Sequence, residues 1–163
     1  GYDSNVTCLV TDAVATLAAQ SAMVTAYGDA RGRTLPDTTE LGTAGDITGL
    51  TITPGLHKWS TAVNIGAGGV TLDCLGNSSA VFIFQISQDL TVANGATVNI
   101  GSCQAKNIFW QTDTQAVLGT TSVFNGNILA GTAIVINSGA TLNGRAFAQS
   151  AVTLDDNTVT KPN

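Results

Sequence analysis

The chain has 163 residues, of which only 10% are charged and 44% hydrophobic, whereas a soluble domain usually carries about 25% charge; small neutral side chains must cover its surface. With six Lys and Arg and a formal charge of −5, it lacks the cationic clusters that neutralise nucleic-acid phosphates. No apolar run approaches the roughly 20 residues that span a bilayer, so neither nucleic acid nor a membrane is an expected partner, and the length suits one domain over residues 1–163.

In chain order, Gly1 to Cys8 has neither the basic nor the apolar region of an export signal. The sequons Asn5-Val6-Thr7 and Asn77-Ser78-Ser79 fit a secretory route, so a secreted, extracellular chain with its signal already removed is expected. Leu9 to Gly28 reads as one amphipathic helix, at about 9–28: Val10, Val14, Leu17 and Val24 are its apolar residues, alanine is plentiful, and Gly28 supplies a stop. Its polar face carries no basic residue, which favours packing against the rest of the protein over a membrane surface.

From about residue 47 to 160 the sequence repeats. Gln115-Ala116-Val117-Leu118 lies 18 residues before Ala133-Ile134-Val135-Ile136, and Val123-Phe124-Asn125-Gly126 lies 18 before Thr141-Leu142-Asn143-Gly144. Phe82-Ile83-Phe84-Gln85 precedes Ile108-Phe109-Trp110-Gln111 by 26, the longer step reflecting an insertion around Gly101 to Lys106, and Ala62-Val63-Asn64-Ile65 precedes Asp89-Leu90-Thr91-Val92 by 27. A unit near 18 residues, with three short β-rich runs between Gly, Asn and Ser corners, is the pattern of a three-faced β-solenoid. No such coil buries its own inner side, so the coils must stack. The expected fold class is therefore mainly β, a β-solenoid (β-helix) with one long α-helix packed alongside its axis.

Alternation along the runs assigns the faces. On the first, Val63, Leu90, Ala116, Ile134 and Val152 point inward, with Ile65, Val92, Leu118, Ile136 and Leu154 two residues on; on the second, Val98, Phe124 and Leu142 do so. The third face, Phe82 to Ile86, Ile108 to Thr112, Ile128 to Thr132 and Ala146 to Ser150, is apolar on both sides and needs a cover, for which the helix is available. Outward on the first face stand Ala62 and Asn64, Asp89 and Thr91, Gln115 and Val117, Ala133 and Val135, and Ala151 and Thr153, preceded at the corner by Thr61, Gln88, Thr114, Thr132 and Ser150. Coils of a parallel sheet lie about 4.8 Å apart and alternate residues along a strand about 6.7 Å apart, so these side chains form a two-dimensional array. It is flat, mixes methyls with hydroxyls, and can meet an ordered surface through many weak contacts at once. The same residues are also good solenoid formers by β-propensity and size, so composition leaves a purely structural role open.

Thr61-Ala62-Val63-Asn64, Thr132-Ala133-Ile134-Val135 and Ser150-Ala151-Val152-Thr153 resemble the Thr-Ala/Gly-x-Thr/Asn motifs of the microbial type 1 ice-binding (antifreeze) proteins. Leu50 to Trp59, Ala80 to Ile86, Asn107 to Gln111 and Leu142 to Gln149 look like further signatures of that family, in the same order, and the resemblance covers roughly Thr7 to Pro162. It implies a right-handed, discontinuous solenoid with a helix alongside, secretion, thermal hysteresis and inhibition of ice recrystallisation, without a cofactor. It also implies an ice crystal surface as partner, met by the ten outward residues together with Thr61, Thr132 and Ser150. Members of the family usually carry a further N-terminal stretch before the helix, and this chain begins almost at the helix, as a fragment or a shortened version would. Nothing in the sequence fixes the oligomeric state; a monomer is the simpler expectation.

Two rival classes stand beside this reading: a polysaccharide-active enzyme, since parallel solenoids host lyases and hydrolases, and a non-catalytic adhesion or polysaccharide-binding module. Glycoside hydrolysis needs two carboxylates across a cleft, but Glu40 is the only Glu, Asp155 and Asp156 point to opposite sides of a strand, and Asp73, Asp89 and Asp113 fall on different coil segments. His57, the only histidine, lacks a recurring acidic or Ser partner and is expected to be a surface or packing residue beside Trp59; Arg145, one coil after Asn127, is expected to be structural. No catalytic residue is assigned, and the outward array has no aromatic stripe of the kind that favours sugars. Of the three cysteines, Cys74 and Cys103 occupy loops of adjacent coils and are expected to form a disulfide, leaving Cys8 unpaired or joined elsewhere; no Cys/His spacing suggests a metal site.

Overall fold

The computed structural model describes residues 13–162, so the expected helix start at Leu9, together with Cys8 and Asn5, lies outside the described residues. Helix α1 covers Ala13–Gly32. In chain order the strands are β1 (Thr38–Thr39), β2 (Thr51–Ile52), β3 (Gly55–Trp59), β4 (Val63–Ile65), β5 (Val70–Leu72), β6 (Phe82–Ile86), β7 (Leu90–Val92) and β8 (Val98–Asn99). After a short 3-10 turn at Ala105–Asn107 come β9 (Ile108–Thr112), β10 (Ala116–Leu118), β11 (Val123–Asn125), β12 (Asn127–Ala130), β13 (Ala133–Ile136), β14 (Thr141–Asn143), β15 (Ala146–Ala148), β16 (Ala151–Leu154) and β17 (Thr158–Thr160).

Consecutive triplets from β3 onward are coils. Their first strands form the sheet β1-β3-β6-β9-β12-β15, their second strands the sheet β4-β7-β10-β13-β16, and their third strands the two runs β2-β5-β8 and β11-β14-β17, joined by a parallel bridge between Thr97 and Val123. Every strand pairing is parallel. The register follows the repeat: Ile134 sits beside Val152 and Val123 beside Thr141, while the longer steps place Phe82 beside Ile108 and Val63 beside Leu90. The extra residues leave at corners and do not disturb the ladders. The solenoid begins earlier than the expected residue 47, because Thr38 and Thr39 pair with His57 and Lys58 and Asp46 bridges to Asn64. A two-residue strand among turns at Gly42 and Gly45, both with positive φ, carries no periodic signal.

Inward residues stack into a continuous core. Val63, Leu90, Ala116 and Ile134 are fully buried, as are Val98, Phe124 and Leu142. Along the first sheet an aromatic column runs through the centre: Phe84 and Trp110 stack at 3.8 Å with planes 7° apart, and Trp59 lies 6.0 Å from Phe84. Both indoles find acceptors, Trp59 Nε1 donating to the Leu41 carbonyl at 2.8 Å and Trp110 Nε1 to that of Asn125 at 3.1 Å, as buried donors require. The corner between β11 and β12 admits only glycine: Gly126 has φ of +119°, and a Cβ there would meet Ile108 and the Trp110 ring nitrogen at 2.8 Å. At the far end, Val152 and Leu154 point inward yet are 41% and 55% exposed, because no described coil stacks beyond β16.

The helix does cover the sheet β1-β3-β6-β9-β12-β15, the third face of the sequence reading, through a stripe different from the expected one. Val14, Leu17 and Val24 are exposed, while Met23 and Ala30 are buried and Tyr27 is half-buried, a spacing of four and three residues that faces one side. Ala30, Leu56, Ile83 and Leu129, with Tyr27, Phe109 and Phe147 against them, form a second apolar layer between helix and sheet. The helix also continues past Gly28 to Gly32. Gly28 costs about 1 kcal/mol of propensity, which the contacts on either side of it offset. Tyr27 Oη and Arg31 Nε donate to Asp113 Oδ1 at 3.2 and 2.7 Å, and Gln85 Nε2 donates to the carbonyls of Ala30, a last-turn acceptor that the helix leaves open, and of Arg33 just past the helix end, at 2.7 and 2.9 Å.

Candidate functional site

The candidate surface is the outer side of the five-stranded sheet β4-β7-β10-β13-β16, one of the faces that the helix does not cover. Strand register aligns Asn64, Thr91, Val117, Val135 and Thr153 in one row, and the bridge to Asn64 adds Asp46 at its end. One position earlier, Ala62, Asp89, Gln115, Ala133 and Ala151 form a parallel row, and Thr61, Gln88, Thr114, Thr132 and Ser150 follow the corner; backbone bonds from Thr132 to Thr114 and from Ser150 to Thr132 keep that corner row in step. All thirteen sequence-assigned residues are thus brought onto one surface, each exposed or half-buried. The inward residues between them hold the rows rigid.

A further row escaped the sequence reading. Thr48, Gly66, Ala93, Gly119, Asn137 and Asp155 continue the alternation one step past the second inward residue, and Ala93, Gly119 and Asn137 each donate their N–H to the carbonyl of Ile65, Val92 and Leu118 on the preceding coil. The signal was the period of two itself, extended into what reads as turn. Two of its positions are crowded against a Cβ: one on Gly119 would lie 2.5 Å from the Ala93 backbone, and one on Gly66 would lie 2.8 Å from the Thr48 hydroxyl. Across the four rows there is no Lys, Arg, Glu or aromatic side chain, and the carboxylates are Asp46, Asp89 and Asp155. Hydrogen bonds from the Thr48 hydroxyl and N–H hold the Asp46 carboxyl below the usual range.

Elsewhere the chemistry-bearing residues of the sequence reading are held by local contacts. His57 is buried, its Nδ1 accepting from the Thr38 hydroxyl at 2.7 Å and its Nε2 donating to the Thr53 carbonyl at 2.9 Å, and its ring stacks on Phe84 at 5.3 Å and tilts against Trp59 at 6.4 Å. Arg145 donates to Asn127 Oδ1 at 3.2 Å. Cys74 and Cys103 lie in the adjacent loops where the sequence put them, but as free, buried thiols and not as the expected disulfide. Cys74 Sγ is 3.4 Å from the Ser102 hydroxyl, and Cys103 Sγ donates to the Leu72 carbonyl at 3.5 Å. Among the described residues no cluster of His, Cys, Asp and Glu could hold a metal ion, and no helix is long and apolar enough to cross a membrane.

A parallel three-faced solenoid, with a helix along one face and an array of mostly short side chains on another, defines the class: a helix-flanked β-solenoid. The chain belongs to the ice-binding-like family, whose model matches residues 3–160. It is 46% identical over 156 residues to an ice-binding protein of Flavobacterium frigoris (strain PS1), covering 95% of this chain and 55% of that protein. To an ice-binding protein of a Colwellia species it is 49% identical over 145 residues, covering 88% and 56%. Among solved structures, an ice-binding protein from an Antarctic biological consortium superposes with a TM-score of 0.86 at 42% identity, covering 94% of this chain and 68% of that one. One from an Arctic yeast, described for its antifreeze activity, gives 0.87 at 34% identity, covering 94% and 66%. The chain spans about half the length of the curated relatives it matches.

Proposed function

We propose that this chain adsorbs to ice through the outer surface of the β4-β7-β10-β13-β16 sheet, slowing crystal growth and recrystallisation outside the cell, as a monomer and without doing chemistry. The observation that carries this is the register: five coils place Thr, Ala, Val, Ser and Asn in straight rows at a constant spacing, on a surface kept free of long cations and rings. Each contact to crystalline water is weak, so adhesion must come from many made together, and a single projecting side chain would lift the array off the lattice. Membership of a family whose matched relatives are ice-binding proteins supports the same reading.

The test is ice growth in a nanolitre osmometer with crystal shape recorded. Wild-type protein is expected to give faceted crystals and a freezing gap, whereas Ala151→Tyr and Thr153→Tyr, at exposed positions where substitution costs little stability, should abolish most of both with the melting temperature unchanged. Full activity in both variants would move the site to another face. Round, freely growing crystals with wild-type protein would favour the adhesion-module reading instead.

A further inference from the structure

The row Ala62, Asp89, Gln115, Ala133, Ala151 contains two long side chains among three alanines, and the two are neighbours on adjacent coils. They are tied to each other. Asp89 Oδ1 accepts from the Thr114 hydroxyl and from the Gln115 backbone N–H at 3.4 Å, and Asp89 Oδ2 accepts from Gln115 Nε2 at 3.2 Å. All three residues are half-buried, although they stand at outward positions. The carboxylate reaches to donors on the next coil, the Gln115 backbone N–H among them, and the amide bends back to meet it. Asp46, at the end of the neighbouring row, is held locally instead, accepting from the N–H and hydroxyl of Thr48 two residues on in its own coil.

We propose that Asp89 is a positioning residue of this face: its carboxylate pulls Gln115 and Thr114 flat, so that a row with a five-atom amide side chain presents nearly the relief of alanine. The inference rests on the ice-adsorption reading and deepens it, since it assigns Asp89 to the shape of the surface and not to contact with ice. The Thr114 hydrogen bond, working against partial burial, also holds the Asp89 carboxyl below the usual carboxylate range, which keeps the clamp ionised and accepting at neutral pH. Removing the carboxylate leaves Gln115 free to take its extended rotamers, out of the surface.

Four variants decide it, with circular dichroism and melting temperature establishing that each is folded and thermal hysteresis as the readout: Asp89→Ala, Gln115→Ala, the double variant, and Ala151→Tyr. Asp89→Ala is expected to lose at least about half of the hysteresis, and adding Gln115→Ala in that background to recover it, because the row is then alanine throughout. Wild-type activity in Asp89→Ala would overturn the proposal. So would a double variant as weak as Asp89→Ala, which would make the carboxylate itself the group that meets ice. Full activity in Ala151→Tyr would remove the face from ice adsorption, and this role of Asp89 with it; loss in Ala151→Tyr with no effect of Asp89→Ala would leave the face standing and reject the positioning role alone.

Discussion

At the scale of single residues, His57 shows how a polar group is kept inside a solenoid. Burial pushes its pKa below the usual value, while the Thr53 carbonyl and, more weakly, Asp37 act the other way; the neutral ring with a proton on Nε2 fits its two partners. The unfolded chain takes up a proton at about pH 6.5 and the folded one only at lower pH, so stability is full above that point and falls as the solution is acidified below it. Urea midpoints between pH 5 and 8 should show this decline in wild-type protein and not in His57→Gln; parallel profiles would mean that the histidine does not control it. The one histidine was legible as non-catalytic because no partner residue recurred beside it, but the choice between a surface and a packing role was not legible, since Thr38 belongs to a strand too short to announce itself.

At the scale of elements, the helix is fastened by a few polar contacts around a thin apolar layer. Burial works to raise the Asp113 carboxyl, but hydrogen bonds from Arg31 and Gln111 and the nearby guanidinium outweigh it and hold the group below its usual range. Its contribution is therefore present above about pH 4 and lost as pH falls through the lower folded value. Asp113→Asn should cost about 1 kcal/mol and Gln85→Leu, which strands the last-turn carbonyls, about 1–3 kcal/mol, both read from denaturant midpoints with ice activity retained. The strands were legible in detail, down to the pairing of Ile134 with Val152, because a period of two locks each inward residue to its neighbour on the next coil. The helix was legible as an element but not in its buried stripe. Alanine carries no signal of which side it faces, and the residues that pack against this stripe, from Leu56 to Leu129, are distant in the sequence.

At the scale of the molecule, stability is graded along the axis. The middle coils have neighbours on both sides, whereas β16 and β17 are exposed throughout, so amide exchange should be slowest in β6 to β13 and fastest in β15 to β17; uniform protection would show that the coils open only together. The flat surface inherits this gradient, and its outermost rung at Ala151 and Thr153 is the one held least firmly. The candidate site was legible because the array is a direct product of the repeat. The clamp at Asp89 was not, since a side chain's direction within the plane depends on which partner it meets on the next coil.

Successive coils advance by anything from 17 residues, as from Thr141 to Thr158, to 28, as from Val70 to Val98, while the ladders stay in phase. Length can thus change freely at the corners, where the loop around Cys103 already does so, without shifting any rung relative to another. A foreign peptide spliced between β8 and β9 would hang from the side away from the array, and the protein would then be a carrier that brings a chosen cargo to whatever its lattice adheres to.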